Sequence, residues 1–409
     1  MFKEKIFNDF IKLNRGFDLP NDKIKTGKYP VVASTEIKAY HESFKVKGPG
    51  VVTGRSGSLG VVQFVSHDYW PLNTSLYVKD FKGNDPKFVY YFLQTMHLEN
   101  FNSGAGVPSL NQNHLHKQKL FIPATPTQQR IASILSAYDE LIEVNNQRIK
   151  LLEETARELY KEWFVRMRFP GYKKAKFVKG IPKNWEHLAI GKVIEYNIGG
   201  GWGNDKMDNQ FSVPGYVIRG TDIPSVRSGV ANHEVYRFHK ASNIKSRELQ
   251  EGDIVFETAG GSEGQALGRT CYITKEILTA YGDKAMCASF CKLIRTESIP
   301  SLYLYYFINY LYDTGMIEAF QTQSTGISNY QFEPFLKFQE ILLPEKELMQ
   351  SFHDKVIVMQ KQIAILGTQN AQLRQIRDRL LPRLVSGKLA VKMPKQYEEN
   401  DRLSMAAEG

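Results

Sequence analysis

Cysteine is scarce in this 409-residue chain, which has only Cys271, Cys287 and Cys291. Three thiols do not make a disulfide framework. Cys287 and Cys291 stand close together, but three cysteines without a histidine do not complete a tetrahedral zinc set. They read as buried free thiols. No run of about 18 apolar residues occurs, so no apolar membrane span is expected. The opening "MFKEKIFNDF" has no long apolar stretch behind its lysines, so no signal peptide is expected either. These absences predict a reducing, cytoplasmic setting.

Catalytic signatures are equally thin. No G-x-x-x-x-G-K-[ST] occurs, and "GQALGRT" (Gly264–Thr270) has the wrong spacing, with arginine in place of lysine. "GGGWG" (Gly199–Gly203) lacks the strand-to-helix context of a dinucleotide loop. No asparagine- or aspartate-Pro-Pro-aromatic motif of amino-methyltransferases is present, and no paired carboxylates with a following lysine suggest a nuclease. His114 and His116 read as loop or surface residues, not as catalysts. The chain is therefore expected to hold no metal and no cofactor of its own.

What the chain does have is length, apolar content and repetition. Its size suggests two or three domains. At 42% hydrophobic it can bury sizeable cores, and a formal charge of +10 permits a polyanionic partner. Two halves match in order. "DFIKLNRGFD" parallels "KVIEYNIGGGW", setting Gly16 against Gly199; "YPVVASTEI" parallels "YVIRGTDI". "GPGVVTGRSGSLGVVQFV" parallels "EGDIVFETAGGSEGQALGRTCYI", "PKFVYYFLQ" parallels "PSLYLYYFINY", and "SGAGVPSLNQNHL" (Ser103–Leu115) parallels "STGISNYQFEPFL" (Ser324–Leu336). Each copy combines β-branched runs ending in glycine clusters with an aromatic helix, a mixed α/β unit. The apolar residues Phe88, Tyr91 and Phe92, and Leu302, Tyr305, Tyr306 and Ile308, are expected to face the cores. "RFPGYKKAKFVKGIPKNWEHLAIG" reads as a linker.

Each copy ends in a long helix with a heptad stripe. One stripe runs Ile131, Leu135, Tyr138, Ile142, Asn145, Ile149, Leu152, Ala156, Leu159 and Trp163. The other runs Phe352, Val356, Met359, Ile363, Leu366, Asn370, Leu373, Arg377, Leu380 and Leu384. Alternating spacings of four and three form a seam that coils against a partner helix. Each stripe carries one asparagine, and a lone buried Asn fixes register by requiring a polar mate. An antiparallel pairing of Asn145 with Asn370 sets Ile149 on Leu366, Leu159 on Val356, Trp163 on Phe352 and Ile131 on Leu384. Pro382 is expected to end or kink the second helix. The stripe of about 32 residues spans roughly 48 Å at ~1.5 Å per residue. That length covers roughly 14 base pairs of B-DNA at ~3.4 Å each.

The expected layout is a first unit at 1–124, a helix at 125–168, a linker and second unit at 169–343, a helix at 344–390, and a mobile tail at 391–409. The fold class is α+β, with two similar mixed α/β domains separated by a long intramolecular antiparallel two-helix coiled coil.

"GIPKNWE" (Gly180–Glu186), "IPATPTQQRIASILSAYDELIEVNNQRIKLLEE" (Ile122–Glu154) and "LLPRLVSGKL" (Leu380–Leu389), in this duplicated order, resemble the specificity subunit of type I restriction–modification systems. The resemblance implies two target-recognition domains, each reading one half of a split double-stranded DNA site, and a coiled coil that sets the spacer. It implies two DNA methyltransferase (modification) subunits docked on the helices, with restriction and motor subunits able to join. S-adenosylmethionine, ATP and Mg would then belong to the partners, with adenine N6 as the usual methylation target.

Base readout needs forked or planar donors and acceptors, and glycine-rich loops allow close approach to the duplex. In the first unit these needs point to Arg55, Ser56 and Ser58 in "TGRSGSLG", and to Asn111, Gln112 and Asn113 in "SGAGVPSLNQNH". In the second they point to Ser262, Gln265 and Arg269 in "TAGGSEGQALGR", to Gln323 and Asn329 in "QTQSTGISNYQ", and to Arg219. The first unit carries a net charge of about +6 and the second about +1, so the second offers no general basic face. Two other readings stand beside DNA recognition: an enzyme that modifies nucleic acid alone, and a purely architectural coiled-coil scaffold.

Overall fold

The computed structural model describes residues 2–104, 106–260, 264–282, 284–324 and 327–392. The chain forms two compact units, Met1–Leu141 with Leu373–Gly409, and Ile142–Gln372.

In unit one, strands Phe2–Ile6 and Lys119–Pro123 pair antiparallel and bring the start of the domain to its end. Between them lies a four-stranded sheet in the order Lys12–Arg15, Ser75–Asp80, Gly50–Gly54, Val62–Val65, antiparallel throughout. A three-stranded sheet runs Ile37–His41, Tyr29–Val32, Trp70–Pro71, its last pair parallel. Gly50–Gly54 is buried along its whole length, which explains why "GVVTG" shows no polar alternation. Helix Pro86–Gln94 starts with proline at its first position, and the Asp85 side chain accepts from Phe88 N at 2.8 Å. Its apolar face buries Phe88, Tyr91 and Phe92.

Unit two repeats this topology. Glu186–Ala189 pairs with Glu340–Leu343. The four-stranded sheet is Tyr196–Gly199, Cys291–Arg295, Ile254–Glu257, Thr270–Tyr272, and the three-stranded one is Tyr236–His239, Val213–Ile218, Ala285–Cys287, again with a parallel last pair. Helix Ser301–Asp313 takes the place of Pro86–Gln94 and buries Leu302, Tyr305, Tyr306 and Ile308. The extra length of the second copy forms the short helices Ile223–Arg227, Ala241–Arg247 and Lys275–Tyr281.

Backbone hydrogen bonds align the copies more sharply than the letters do. Gly16 N donates to Ser75 O and Gly200 N to Cys291 O, both at 3.0 Å, so Gly16 corresponds to Gly200 and not to Gly199. A Cβ on either glycine would fall within 2.2 Å of a carbonyl oxygen, Leu72 O or Cys287 O, which explains the glycines. Likewise Leu110 N donates to Arg55 O and Tyr330 N to Thr258 O, both at 2.8 Å, which shifts the earlier match of "SGAGVPSLNQNHL" by one residue.

The long helices are Thr125–Tyr160, followed by a wider turn at Lys161–Val165, and Lys346–Val385. Within unit two, Asn145 meets Asn370, Ile149 clusters with Ile363 and Leu366, and the rings of Trp163 and Phe352 lie 6.1 Å apart. Within unit one, Ile131 and Leu135 share a core with Leu381 and Leu384, and Arg377 pairs with Asp139. Numbers rise on one helix as they fall on the other, so the pair is antiparallel. The chain is α+β, with two mixed units built alike and a long antiparallel helix pair.

Three features depart from the heptad reading. The second helix continues past Pro382 to Val385. Tyr160, not Leu159, is the buried residue near the end of the first helix, because helix Ser301–Asp313 covers that flank and packs Tyr303, Tyr306 and Tyr310 around its ring. Gly367 lies mid-helix, where the turn at Ser228–Gly229 presses in; a Cβ there would sit 2.1 Å from Ser228 O. Among the described residues no helix is long and apolar enough to cross a membrane. The three cysteines are free and buried, and burial pushes the Cys287 thiol up to about 12.

Candidate nucleic-acid interface

Strand Gly50–Gly54 delivers Arg55 to the first glycine-rich loop of unit one, and the second loop bonds to it along the backbone. Gly57 N donates to Pro108 O at 2.9 Å, Leu110 N donates to Arg55 O at 2.8 Å, and Ser56 bridges Ser109. A third element completes the group. Arg55 N and Ser56 N both donate to Thr74 O, at 2.8 and 3.2 Å, in the turn before strand Ser75–Asp80.

Unit two is assembled in the same way. Ala259 and Gly260 pair with Asn329 and Ser328, and Leu267 N donates to Gln321 Oε1 at 3.0 Å. Thr258 N and Ala259 N donate to Phe290 O, at 2.9 and 3.2 Å, in the turn before strand Cys291–Arg295. In each unit, therefore, two loops far apart in sequence and one intervening turn form a single backbone-bonded surface.

The candidate side chains on this surface are in different states. In unit one, Ser58 and Asn113 are exposed, and Arg55 and Ser56 are half-buried. Arg55 Nε donates to Asn73 O at 3.0 Å, which aims the remainder of its fork. Asn111 caps the short helix Gln112–Leu115, its side chain accepting from Asn113 N at 3.0 Å. Gln112 is half-buried, with its Oε1 enclosed. His116 accepts from Leu13 N at 3.1 Å and so pins a strand; burial, with Lys12 nearby, holds it below the ordinary histidine value.

In unit two, Asn329 is exposed, and Gln323 lies on strand Gln321–Ser324 opposite Ser328, its side chain outside the described residues, as is Ser262. Both arginine forks are already engaged. Arg219 bonds Asp222 through Nε at 2.9 Å and a terminal nitrogen at 2.8 Å, and it reaches Glu234 at 2.7 Å. Arg269 grips Glu257 at 2.8 and 2.6 Å and donates to Gly220 O at 3.1 Å. With its amide oxygen facing the guanidinium, Gln265 accepts from Arg269 at 3.0 and 2.7 Å. Asp222 and Glu257 are 3% and 4% exposed, and carboxylates so deep need an adjacent cation. Burial by itself would raise the Asp222 carboxyl, but its bonds from Arg219 bring it below the usual range. Arg219 and Arg269 thus brace the loops from behind.

These side chains, with Trp202 and Phe290, line a cleft of about 290 Å³. Trp202 and Phe290 remain 44% and 63% exposed, and Arg237 stacks on the Trp202 ring at 5.3 Å. Residue-type reasoning passed over Trp202, Thr74 and Phe290 because none is a forked hydrogen-bonding residue. The backbone bonds of the third turn place Thr74 and Phe290, and Trp202 is placed by the cleft it lines.

Residues 2–154 match the family model of the type I restriction modification DNA specificity domain. Over 381 residues the chain is 27% identical to the type I restriction enzyme MjaIX specificity subunit of Methanocaldococcus jannaschii, covering 84% of this chain and 78% of that protein. It is 23% identical over 332 residues to the HindI specificity subunit of Haemophilus influenzae, covering 69% of this chain and 71% of that one. The fold aligns with the crystal structure of a type I restriction–modification S subunit from M. genitalium at a TM-score of 0.61, with 14% identity, over 96% of this chain and 97% of that one. Residues 2–154 thus match a type I restriction modification DNA specificity domain, and in its duplicated mixed domains and paired long helices the whole chain is similar to type I specificity subunits.

Proposed function

We propose that this chain is a non-catalytic subunit that recognises a bipartite site on double-stranded DNA and directs two partner methyltransferase subunits to it. Each unit reads one half-site, and the helix pair sets the spacer. The observation that carries this reading is the twice-built loop surface, assembled by the same backbone bonds in both units. Polar side chains at its edge, such as Ser58, Asn113 and Asn329, suit base edges and phosphates. The partners supply S-adenosylmethionine and, where restriction and motor subunits join, ATP and Mg. The complex works in the cytoplasm.

The test is to express the chain with its cognate methyltransferase and map methylated positions by sequencing. One split motif with a constant gap is expected. Methylation without any split motif, or methyl transfer by this chain alone, overturns the reading.

A further inference from the structure

The two units hold one backbone position in the same way but fill it differently. Leu72 N donates to Val32 O and Ala288 N to Ile218 O; Ser75 N donates to Leu72 O and Cys291 N to Ala288 O. These bonds, of 2.8–2.9 Å, fold each turn against its sheets. One residue in each turn then has its carbonyl clasped by two consecutive amides of the first glycine-rich loop. It is Thr74 in unit one and Phe290 in unit two. A hydroxyl strengthens each clasp: Ser34 Oγ donates to Thr74 O at 2.8 Å, and Thr258 Oγ1 to Phe290 O at 3.1 Å. With the carbonyl held inward, the side chain points away from the sheet, and both residues are exposed.

A rigid turn that presents a bare phenyl ring among polar loops needs a reason, since exposed apolar surface usually marks a contact. Beside the ring, the two arginines that line the cleft are already engaged by three carboxylates. Arg269 is tied to Glu257, and Arg219 to Asp222 and Glu234. No unpaired fork faces the ring from these residues, so this part of the surface suits an apolar group better than a phosphate. On a DNA duplex the apolar group available in the major groove is the thymine methyl, which Phe side chains contact.

We propose that the clasped position is where each unit sets one letter of its half-site, and that Phe290 selects thymine by packing its ring on the C5-methyl. Thr74, at the same place in unit one, presents a hydroxyl and a methyl to a different base. This inference rests on the DNA-reading function proposed above.

The test uses the full chain assembled with its methyltransferase, after the methylated motif has been mapped. Each thymine of the unit-two half-site is replaced by uracil in synthetic duplexes, which removes only the methyl. One replacement should weaken wild-type binding about fourfold, the worth of one buried carbon. In the Phe290→Thr complex, thymine and uracil duplexes should bind alike, and the unit-two word should relax at that position while the unit-one word and the gap stay unchanged. Threonine is a residue that the same clasp already carries, so the turn accepts it. The inference is overturned if no uracil replacement affects the wild type, if the penalty persists in Phe290→Thr, or if the unit-two word contains no thymine on either strand. If Phe290→Thr does not fold, Phe290→Ser supplies the same comparison, and a wild type indifferent to every uracil replacement overturns the inference whatever the variants do. A complex that methylates no split motif at all points instead to failure of the underlying function.

Discussion

Asn145 donates from Nδ2 to Asn370 Oδ1 at 3.0 Å, and Asn370 in turn donates to Asn146 Oδ1 at 2.9 Å, beside an apolar cluster of Ile149, Ile363 and Leu366. The two amides are 3% and 1% exposed. Each therefore depends on the other for satisfaction, and sliding one helix by a turn would leave both without that bond. Replacing either one with leucine should cost about 1–3 kcal/mol, the penalty for an orphaned buried amide. Replacing both should restore or exceed wild-type stability, because the polar group is then gone from both sides. Urea unfolding of the three variants checks this. Equal losses in single and double variants would show that the amides do not act as a pair. The double variant should also methylate sites with more than one spacer length, since its seam no longer has the paired amides that favour one register.

Gly367→Ala offers a conflict of sign. Helix propensity alone predicts a gain of about 1 kcal/mol. The packed turn predicts the reverse, because the added Cβ would meet backbone atoms of Ser228 and Gly229, which have no side-chain freedom to move away. A net loss of about 1–3 kcal/mol is expected from such overpacking. The unfolding midpoint of the variant gives the sign directly.

Arg269→Ala should behave as a structural lesion. It leaves Glu257, with a side chain 5% exposed, buried without its cation. A loss of about 3–5 kcal/mol is expected, and Arg269→Met combined with Glu257→Leu should recover most of it. If Arg269→Ala folds with wild-type stability and only changes the methylated motif, the arginine reads bases and the bracing role is wrong.

Asp222 predicts acid sensitivity in unit two. Its folded-state carboxyl lies below the ordinary value, so its contribution is present above the unfolded pKa of about 3.9 and is lost as pH falls through the folded value. Asp222→Asn should therefore be less stable than wild type near neutrality. The gap between the two should close below about pH 4. Denaturant midpoints measured across that range, showing a gap that instead widens in acid, would contradict the assignment.

The proposed ruler can be shortened. Removing one heptad from each long helix at matched heights keeps the seam in phase. Seven residues remove about 10.5 Å of helix, or roughly three base pairs at ~3.4 Å each. Methylation mapping should return the same two half-site words with a gap shorter by roughly that amount. An unchanged gap would mean that something other than the helices sets it.

The large pattern was legible because it is periodic and repeated. Alternating spacings of four and three mark the helix seam, and the single asparagine in each stripe sets Asn145 opposite Asn370, as the hydrogen bond between them bears out. The repeated segments exposed two units of one kind. The match slipped by a single residue at Gly16 and again at Leu110, because low identity leaves a one-residue shift nearly free in letters while hydrogen bonding permits only one register. Arg219 and Arg269 looked like base readers by residue type. Asp222 stands only three residues from Arg219, a local sign of that pairing, but Glu234 and Glu257 are 15 and 12 residues from their arginines, and nothing local announces those contacts.

By itself, the amino-acid order determined what depends on neighbours a few residues apart: helix faces, buried strands, turn glycines, and the number of times the plan is repeated. The tertiary structure alone decided which side chains remain available at the loop surface. Availability depends on distances between residues remote in the chain. The carbonyls of Thr74 and Phe290 are seized by amides from another loop, the Arg269 fork closes on Glu257, and the turn at Gly229 lands on Gly367. Short-range steric and periodic preferences act before the chain closes on itself, whereas burial and pairing are properties of the closed shape.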